Sequence, residues 1–311
     1  MKILITGGGG FIGSFLLNQL SVNHKLISID HGSRYKILEK KLSENVEFVK
    51  GDITDKILMN QILKKGIDVI IHLAGVLGNS ACMNNPSEAI LSHVHGTQIL
   101  TREAKKYKVK KLIFASSQAV YSTFKIRKNP LNEKMKLYPD DLYGAVKTMA
   151  ESNIQDSGLD FVILRFANVY GYNPHSKQKG GPIENFINSV FQKSSISVFG
   201  SGKQKIDYIN IKDIGDCIEM IIQNTKLSHE VFNVGSGKLN SIEEIAKIIS
   251  ANGKKLCGYS TKIKKTPAPK DKIWPDRLMS IRKIKTRIGW KPKISIEQGI
   301  DEILENRNLI K

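Results

Sequence analysis

The chain opens with "KILITGGGGFIG", a short apolar run that breaks into a glycine loop and resumes as a helix-like stretch. No other feature constrains the fold as much. A strand that turns through glycines directly into a helix begins a β-α-β unit, in which the next strand lies parallel to the first. The pattern then repeats. Runs rich in Ile and Val at 2–6, 25–30, 46–50, 68–74, 111–117 and 160–166 read as strands buried on both faces. Helix-like stretches at 12–21, 55–65, 86–107 and 141–157 lie between most of them. This alternation predicts an α/β fold built on a doubly wound parallel sheet.

After residue 168 the texture changes. "YGYNPHSKQKGGP" reads as a loop, a helix-like "IENFINSVFQK" follows, and short elements run on to an amphipathic "SIEQGIDEILENR". The reading is a first domain over 1–168 and a smaller lobe over 169–311, with about 212–234 returning to the first domain. No apolar run approaches the roughly 18 residues of a membrane helix, and the N-terminal apolar stretch is too short for a signal peptide. A cytoplasmic location is expected. The three cysteines, Cys82, Cys217 and Cys257, have no metal or redox spacing. The net charge of +19 raises the question of nucleic acid. The lysines are spread along the chain without an arginine-rich or aromatic-interleaved tract, which argues against it. Such a field also suits a small polyanionic substrate.

The glycine loop has specific physics. Gly7 permits the tight turn, Gly10 lets a pyrophosphate approach the backbone, and Gly13 lets the helix pack on the sheet. The helix N-terminus then holds the phosphates. Asp30, at the end of the second strand, is placed to accept hydrogen bonds from ribose hydroxyls and to repel a 2′-phosphate, which favours NAD over NADP. Arg34 is the nearby residue that pulls the other way. Asp52 in "GDITD" and Leu73, Ala74 and Gly75 in "HLAG" end later strands on the same cleft. Each of these also has an ordinary reading as turn or core.

Tyr-x-x-x-Lys occurs at Tyr107/Lys111, Tyr121/Lys125, Tyr143/Lys147 and Tyr208/Lys212. A tyrosine that moves protons near neutral pH needs its pKa lowered from about 10 to about 7, roughly 4 kcal/mol. A lysine one helical turn away can contribute positive charge. Tyr107 and Lys111 fall on two elements, Tyr121 follows a strand, and Tyr208 is in an extended segment. Tyr143 opens a helix with Lys147 one turn on, and Ser117 ends the preceding strand on the ligand side of the sheet. Tyr121 is expected near enough to touch the substrate.

"TGGGGFIG", "GDITD", "HLAG", "HVHGT", "SSQAVY", "YGAVK", "LRFANVYG", "FNVGSG" and "IGWKPK" occur in this order. In this the chain resembles the extended short-chain dehydrogenase/reductases that act as nucleotide-sugar epimerases and dehydratases. The resemblance covers nearly the whole chain. It implies a Rossmann-like domain and a smaller C-terminal substrate-binding lobe, NAD as cofactor, a nucleotide-diphosphate sugar as substrate, and a homodimer. It implies catalytic roles for Ser117, Tyr143 and Lys147. Phe11, Ile12, Ile53, His93 and Phe166 would join the cofactor residues already named. Asn168, Asn185, Lys205 and Arg277 would bind the substrate. Two departures stand out. The asparagine usual before "V-x-G-T" is His93, which substitutes for it or simply packs on its helix; the sequence leaves both open. An arginine usual before Asp207 is Ile206, so one phosphate clamp is missing, and Lys205 or Arg277 is expected to replace it.

The family shares a first step, oxidation at sugar C4. The 4,6-dehydratases carry an Asp-Glu pair where this chain has Gln118 and Ala119, and the decarboxylases carry Glu at the second position. Neither residue here can act as an acid or base. The expectation is a 4-epimerase. A 4-dehydrogenase or ketoreductase comes second, and a non-catalytic binding protein of the same fold is the alternative of another class.

Overall fold

The computed structural model describes residues 1–32, 38, 42, 44–122, 130–175, 181–267 and 276–309. Arg34 and Lys125 lie outside the described residues. The first strands are β1 (Lys2–Thr6), β2 (Lys25–Asp30), β3 (Val46–Lys50), β4 (Val69–His72), β5 (Lys111–Ser117) and β6 (Phe161–Phe166). The helices are α1 (Phe11–Leu20), α2 (Lys56–Leu63), α3 (Asn79–Asn84), α4 (Pro86–Ile90), α5 (Thr97–Lys106) and α6 (Leu142–Gln155). The second half adds β7 (Asn168–Tyr170), α7 (Pro182–Phe191), β8 (Ile196–Phe199), β9 (Lys205–Ile206), β10 (Tyr208–Asn210), α8 (Ile211–Gln223) and β11 (Glu230–Val234). It closes with β12 (Asn240–Ser241), α9 (Ile242–Cys257), β13 (Ile263–Thr266), α10 (Arg282–Ile288) and α11 (Ile296–Leu309).

Seven strands form one sheet in the order β11-β6-β5-β4-β1-β2-β3, with every pairing parallel. The two-residue period of β1 shows why both faces are covered. Ile3 and Ile5 join one core with Leu16, Leu17 and Leu20 of α1 and Ile214 and Ile218 of α8. Leu4 joins the other with Met59 and Ile62 of α2, Leu100 of α5 and Ile154 of α6. Strand order reverses at β1, so the carboxyl ends of β1 and β4 open a crevice, the usual ligand position in such sheets.

Each of the six apolar runs becomes a strand of this sheet, within two residues of its expected limits. Within 212–234, α8 packs on α1, and β11 pairs with β6 at the sheet edge. The expected helix over 86–107 is instead three segments. A wider π-helical turn occupies Leu91–Gly96 between α4 and α5. Thr97 donates its hydroxyl to the His93 carbonyl (2.6 Å), and Gly96 packs so closely that a Cβ there would stand 2.6 Å from Ile53 Cδ1. Both contacts hold the backbone away from ordinary α winding.

A third core lies beyond the sheet, formed by Ile183, Phe186 and Ile187 of α7, Ile245 and Ile249 of α9, and Ile300 and Ile303 of α11. The "IGWKPK" segment is pinned to the start of α8. Trp290 Nε1 donates to the Asp213 carbonyl (3.1 Å), and the Asp213 carboxylate accepts from the Lys293 and Ile294 N–H groups (2.8 and 3.3 Å).

Asp207 gathers three segments in the same way. Its buried carboxylate accepts from Ser236 N (2.8 Å), Ser236 Oγ (2.7 Å), Gly237 N (3.3 Å) and Met279 N (3.2 Å). Truncation would strand buried backbone donors. Asp207→Ala is expected to cost about 3 kcal/mol of unfolding free energy in urea, with Asp207→Asn costing less. A loss under about 1 kcal/mol would show that this hub is not needed.

Candidate active site

The glycine loop leaves β1 and enters α1 with no slack. Gly7 has φ +74°, and a Cβ on it would stand 2.8 Å from Ala74 N. On Gly13 a Cβ would stand 2.3 Å from the Gly7 carbonyl oxygen. The N-cap of α1 is Gly10, with no side chain bonded to the helix end. The first-turn N–H groups, from Phe11 onward, are therefore a backbone cradle for an anion. The Asp30 carboxylate accepts from Gly9 N (2.9 Å) and Gly32 N (2.8 Å), which fixes it beside the loop with lone pairs to spare on both oxygens. Asp52 uses one oxygen to cap the turn at Thr54 (2.8 Å). Ile53 is buried beneath the π-helical turn, Ile12 packs on the first core, and Leu73, Ala74 and Gly75 follow β4 as expected. This donor and carboxylate set fits a dinucleotide.

Ser117 is the last residue of β5 and the register partner of Phe166 on β6. Its hydroxyl accepts from Ala119 N (3.1 Å) and lies close enough to the Tyr143 phenol to oppose the rise of its pKa. Asp141 caps α6 by accepting from Gly144 N (2.8 Å), which sets Tyr143 in the first turn. Lys147 is buried one turn on, and its ammonium donates to the Ala115 carbonyl (2.7 Å) while lying 4.7 Å from the centre of the Phe114 ring. These three residues lie together at the carboxyl end of β5.

Their electrostatics differ from the expectation. Burial pushes the Tyr143 phenol up to about 12, and the Ser117 hydroxyl pulls it only part of the way back. Lys147 is pushed down to about 8, chiefly by burial, with Glu151 and Cys82 opposing. The lysine therefore does not by itself bring the tyrosine to neutrality.

The other tyrosines are tied elsewhere. Tyr107 donates to Asn60 Oδ1 (2.9 Å), while Lys111 is bound to the carbonyls of Ile221 and Asn224 (3.2 and 2.6 Å). Tyr208 is buried edge-on to Tyr170, and Lys212 pairs with Glu302. Tyr121 corrects the sequence reading. It is fully buried, accepts from Arg165 Nη1 (2.8 Å) and donates to Asn233 Oδ1 (2.8 Å). It is a core residue rather than a substrate contact.

Sequence reasoning missed what lies beneath the site. Arg165 forks onto the Glu151 carboxylate (2.7 and 3.0 Å), and Ser116, adjacent to Ser117, donates to the same carboxylate. The available signal was an arginine inside an apolar parallel strand, which demands a buried partner. His72 was also missed. Thr97 has given its only hydroxyl hydrogen to the His93 carbonyl, so His72 Nε2 donates to Thr97 (2.9 Å) and Nδ1 accepts from Thr6 (2.7 Å). Burial holds this histidine well below its usual pKa. His93 itself donates from Nε2 to the Val76 carbonyl (2.9 Å) and stands edge-on to Tyr143, with ring centres 6.0 Å apart.

On the substrate side, Asn168 lies on β7, in register with Tyr208, and Asn185 is exposed in the first turns of α7. Lys205 is exposed and its backbone N–H donates to Asp276 (2.9 Å). Ile206 bridges to Arg277, whose guanidinium reaches 3.9 Å from Asp140, beside the α6 cap. Of the two cations expected to replace the missing clamp, Arg277 is the one directed toward the Tyr143 end of the cleft. Asn173, another unforeseen contact, donates to the Phe11 carbonyl (2.7 Å) and Ser14 Oγ (2.9 Å). It ties the loop after β7 to the first turn of α1.

The NAD dependent epimerase/dehydratase family model matches residues 3–235. The chain belongs to that family. It is 32% identical to a UDP-glucuronate 4-epimerase of Thermodesulfobacterium geofontis, over 99% of this chain and 98% of the relative. It is 30% identical to a UDP-N-acetyl-alpha-D-glucosaminuronate decarboxylase of Bacillus cytotoxicus, over 98% and 97%. The crystal structure of the UDP-glucose 4-epimerase of Thermotoga maritima with UDP-glucose superposes with a TM-score of 0.87 at 26% identity, covering both chains completely. The chain is thus an enzyme of an NAD-dependent family. No helix among the described residues is long and apolar enough to cross a membrane.

For a member of this family the buried lysine has a measurable cost. A shift from 10.5 to about 8 corresponds to roughly 3 kcal/mol. The unfolded lysine keeps its proton up to higher pH than the folded one. The penalty is therefore full below pH 8 and is relieved as pH rises toward 10.5. Lys147→Met in cofactor-stripped protein is expected to match or exceed wild-type stability at pH 7, the difference shrinking above pH 8. A variant less stable than wild type at pH 7 would contradict this account of the lysine.

Proposed function

We propose that this protein is an NAD-dependent nucleotide-sugar 4-epimerase acting on a UDP-sugar. One observation carries the reading. Ser117 and Tyr143 come together beside Lys147, while the two residues after Ser117, Gln118 and Ala119, offer no ionisable group. The site can move one proton on and off one oxygen. It has no second acid or base for eliminating a C6 hydroxyl, as a dehydratase must, and no glutamate where decarboxylases of the family carry one.

In this reading Tyr143 takes the proton of the C4 hydroxyl and later returns it. Ser117 hydrogen-bonds the same oxygen and keeps it aligned with the phenol. Lys147 holds the nicotinamide-side ribose and adds positive charge beside Tyr143. Bound NAD supplies a two-electron acceptor for C4 and gives the electrons back. The 4-keto sugar turns over between the two transfers, so C4 is inverted with no net redox change. Gly7, Gly10, Phe11, Ile12, Gly13, Asp30, Asp52, Ile53, Leu73, Ala74, Gly75, His93 and Phe166 form the cofactor cleft, within 1–168 and the returning 212–234. The remaining lobe takes the sugar nucleotide through Asn168, Asn185 and Lys205, with Arg277 on the diphosphate. The UDP-sugar names of the relatives support the choice of base.

The test is turnover of UDP-glucose, UDP-glucuronate and UDP-N-acetylglucosamine. Tyr143→Phe should lower kcat by roughly 10²–10⁴ and leave NAD bound. Retention of more than about a tenth of wild-type kcat rules out this tyrosine. Stoichiometric NADH with no epimer identifies a one-way 4-dehydrogenase instead.

The functional unit is proposed to be a homodimer. Met83, Leu91 and Met149 are 58%, 52% and 52% exposed, and they lie on α3, the π-helical turn and α6, which pack side by side. A second copy covering this face would remove them from water. Sedimentation at micromolar concentration should show a dimer, and Leu91→Glu with Met149→Glu should show a monomer. A monomeric wild type refutes the assignment.

A further inference from the structure

His93 is where the chain departs from its family, and its surroundings define its chemistry atom by atom. Nε2 lies 2.9 Å from the Val76 carbonyl, which can only accept, so Nε2 carries the hydrogen. Burial pushes the imidazole down to about 3, so the ring is neutral at physiological pH. Nδ1 is then a bare lone pair. The residue is 1% exposed, and Nδ1 has no hydrogen-bond partner. The ring lies against the carboxyl end of β4: a Cβ on Gly75 would stand 2.2 Å from Cε1 and 2.5 Å from Nδ1. Tyr143 and the Lys147 charge are its neighbours on the other side. A buried acceptor without a donor is destabilising. Such a group calls for an explanation.

We propose that His93 Nδ1 accepts a hydrogen bond from a hydroxyl of the nicotinamide-side ribose of NAD, the same hydroxyl that the Lys147 ammonium holds. The inference rests on the role given to Lys147 above and is independent of which sugar is turned over. An ammonium has three donors and no acceptor, and one donor already goes to the Ala115 carbonyl at 2.7 Å. A ribose hydroxyl held only by the lysine would keep its own hydrogen unmatched in a closed site. His93, in the tautomer that Val76 imposes, can only accept at Nδ1. Lysine, hydroxyl and imidazole then form a chain in which each group fills the role its chemistry leaves it. Asparagine could present either its carbonyl or its amide at this position; the histidine presents an acceptor alone. His93 is on this account a positioning residue for the cofactor and takes no proton from the sugar.

The experiment needs no substrate. Wild-type protein labelled with ¹⁵N at histidine is stripped of cofactor and titrated with NAD, then with NAD analogues lacking the 2′- or the 3′-hydroxyl of the nicotinamide-side ribose. NAD should move the unprotonated Nδ1 resonance of His93 upfield, as a lone pair does on gaining a donor, and one analogue should not. In parallel, His93→Phe, which keeps a ring edge-on to Tyr143, should bind NAD about tenfold more weakly. Its preference for NAD over that analogue should shrink, and His93→Asn should recover part of it. An Nδ1 resonance unmoved by bound NAD, or moved equally by NAD and both analogues, overturns the proposal even if neither variant folds. Failure of the wild type to bind NAD at all would instead strike the cofactor assignment on which the proposed function stands.

Discussion

The ion pair between Glu151 and Arg165 holds the site in shape. Glu151 lies one helical turn beyond Lys147 on α6, and Arg165 is the last residue but one of β6. The carboxylate also takes the hydroxyl of Ser116, next to Ser117. The strand end that presents the serine and the helix that presents the tyrosine and lysine are thus registered through one carboxylate. Arg165 extends the connection through the Tyr121 phenol to Asn233 on β11. A buried pair of this kind offsets its desolvation only when its remaining hydrogen-bonding positions are filled. Here a serine on the carboxylate and a tyrosine on the guanidinium fill two of them. Removing either charged partner would leave the other uncompensated in a dry core, at a cost of about 3–5 kcal/mol.

The same dryness governs the groups above. Burial raises Tyr143 and lowers Lys147, His72 and His93. In each case the charged form is disfavoured. The protein therefore presents a nearly neutral set of groups, apart from the lysine, to whatever enters the cleft. Charge brought in by a ligand is felt strongly there, because little water or counter-charge screens it. The rise of the Tyr143 pKa and the fall of the Lys147 pKa have one origin, the removal of both groups from water.

Much of this was readable in the chain. The short Ile- and Val-rich runs predicted the six strands because a parallel sheet buried on both faces leaves little room for polar residues. Tyr143 was separable from three other Tyr-x-x-x-Lys matches by its place after "SSQAVY", where helix start and strand end meet. What escaped depended on contacts between residues distant in sequence. Tyr121 looked like a substrate contact because it follows the strand that ends in Ser117; only Arg165 and Asn233, 44 and 112 positions away, show that it faces the core. The π-helical turn was hidden because Leu91–Gly96 keeps helix-like composition, and its widening is set by Thr97 and Ile53. The rise of the Tyr143 pKa was invisible because proximity of Lys147 can be read from spacing, whereas desolvation cannot.

The edge strand β11 has a consequence for how the molecule is made. Ile3 and Ile5 share a core with Ile214, Ile218, Phe232, Val234 and Trp290, all of them far later in the chain. That face of the sheet cannot close until the chain has been synthesised as far as Trp290. The nascent glycine-loop half must wait with its apolar surface open, a state prone to aggregation in proteins of this size. No single cut would release the cofactor-binding half as a self-sufficient fragment, because its last strand is encoded far downstream.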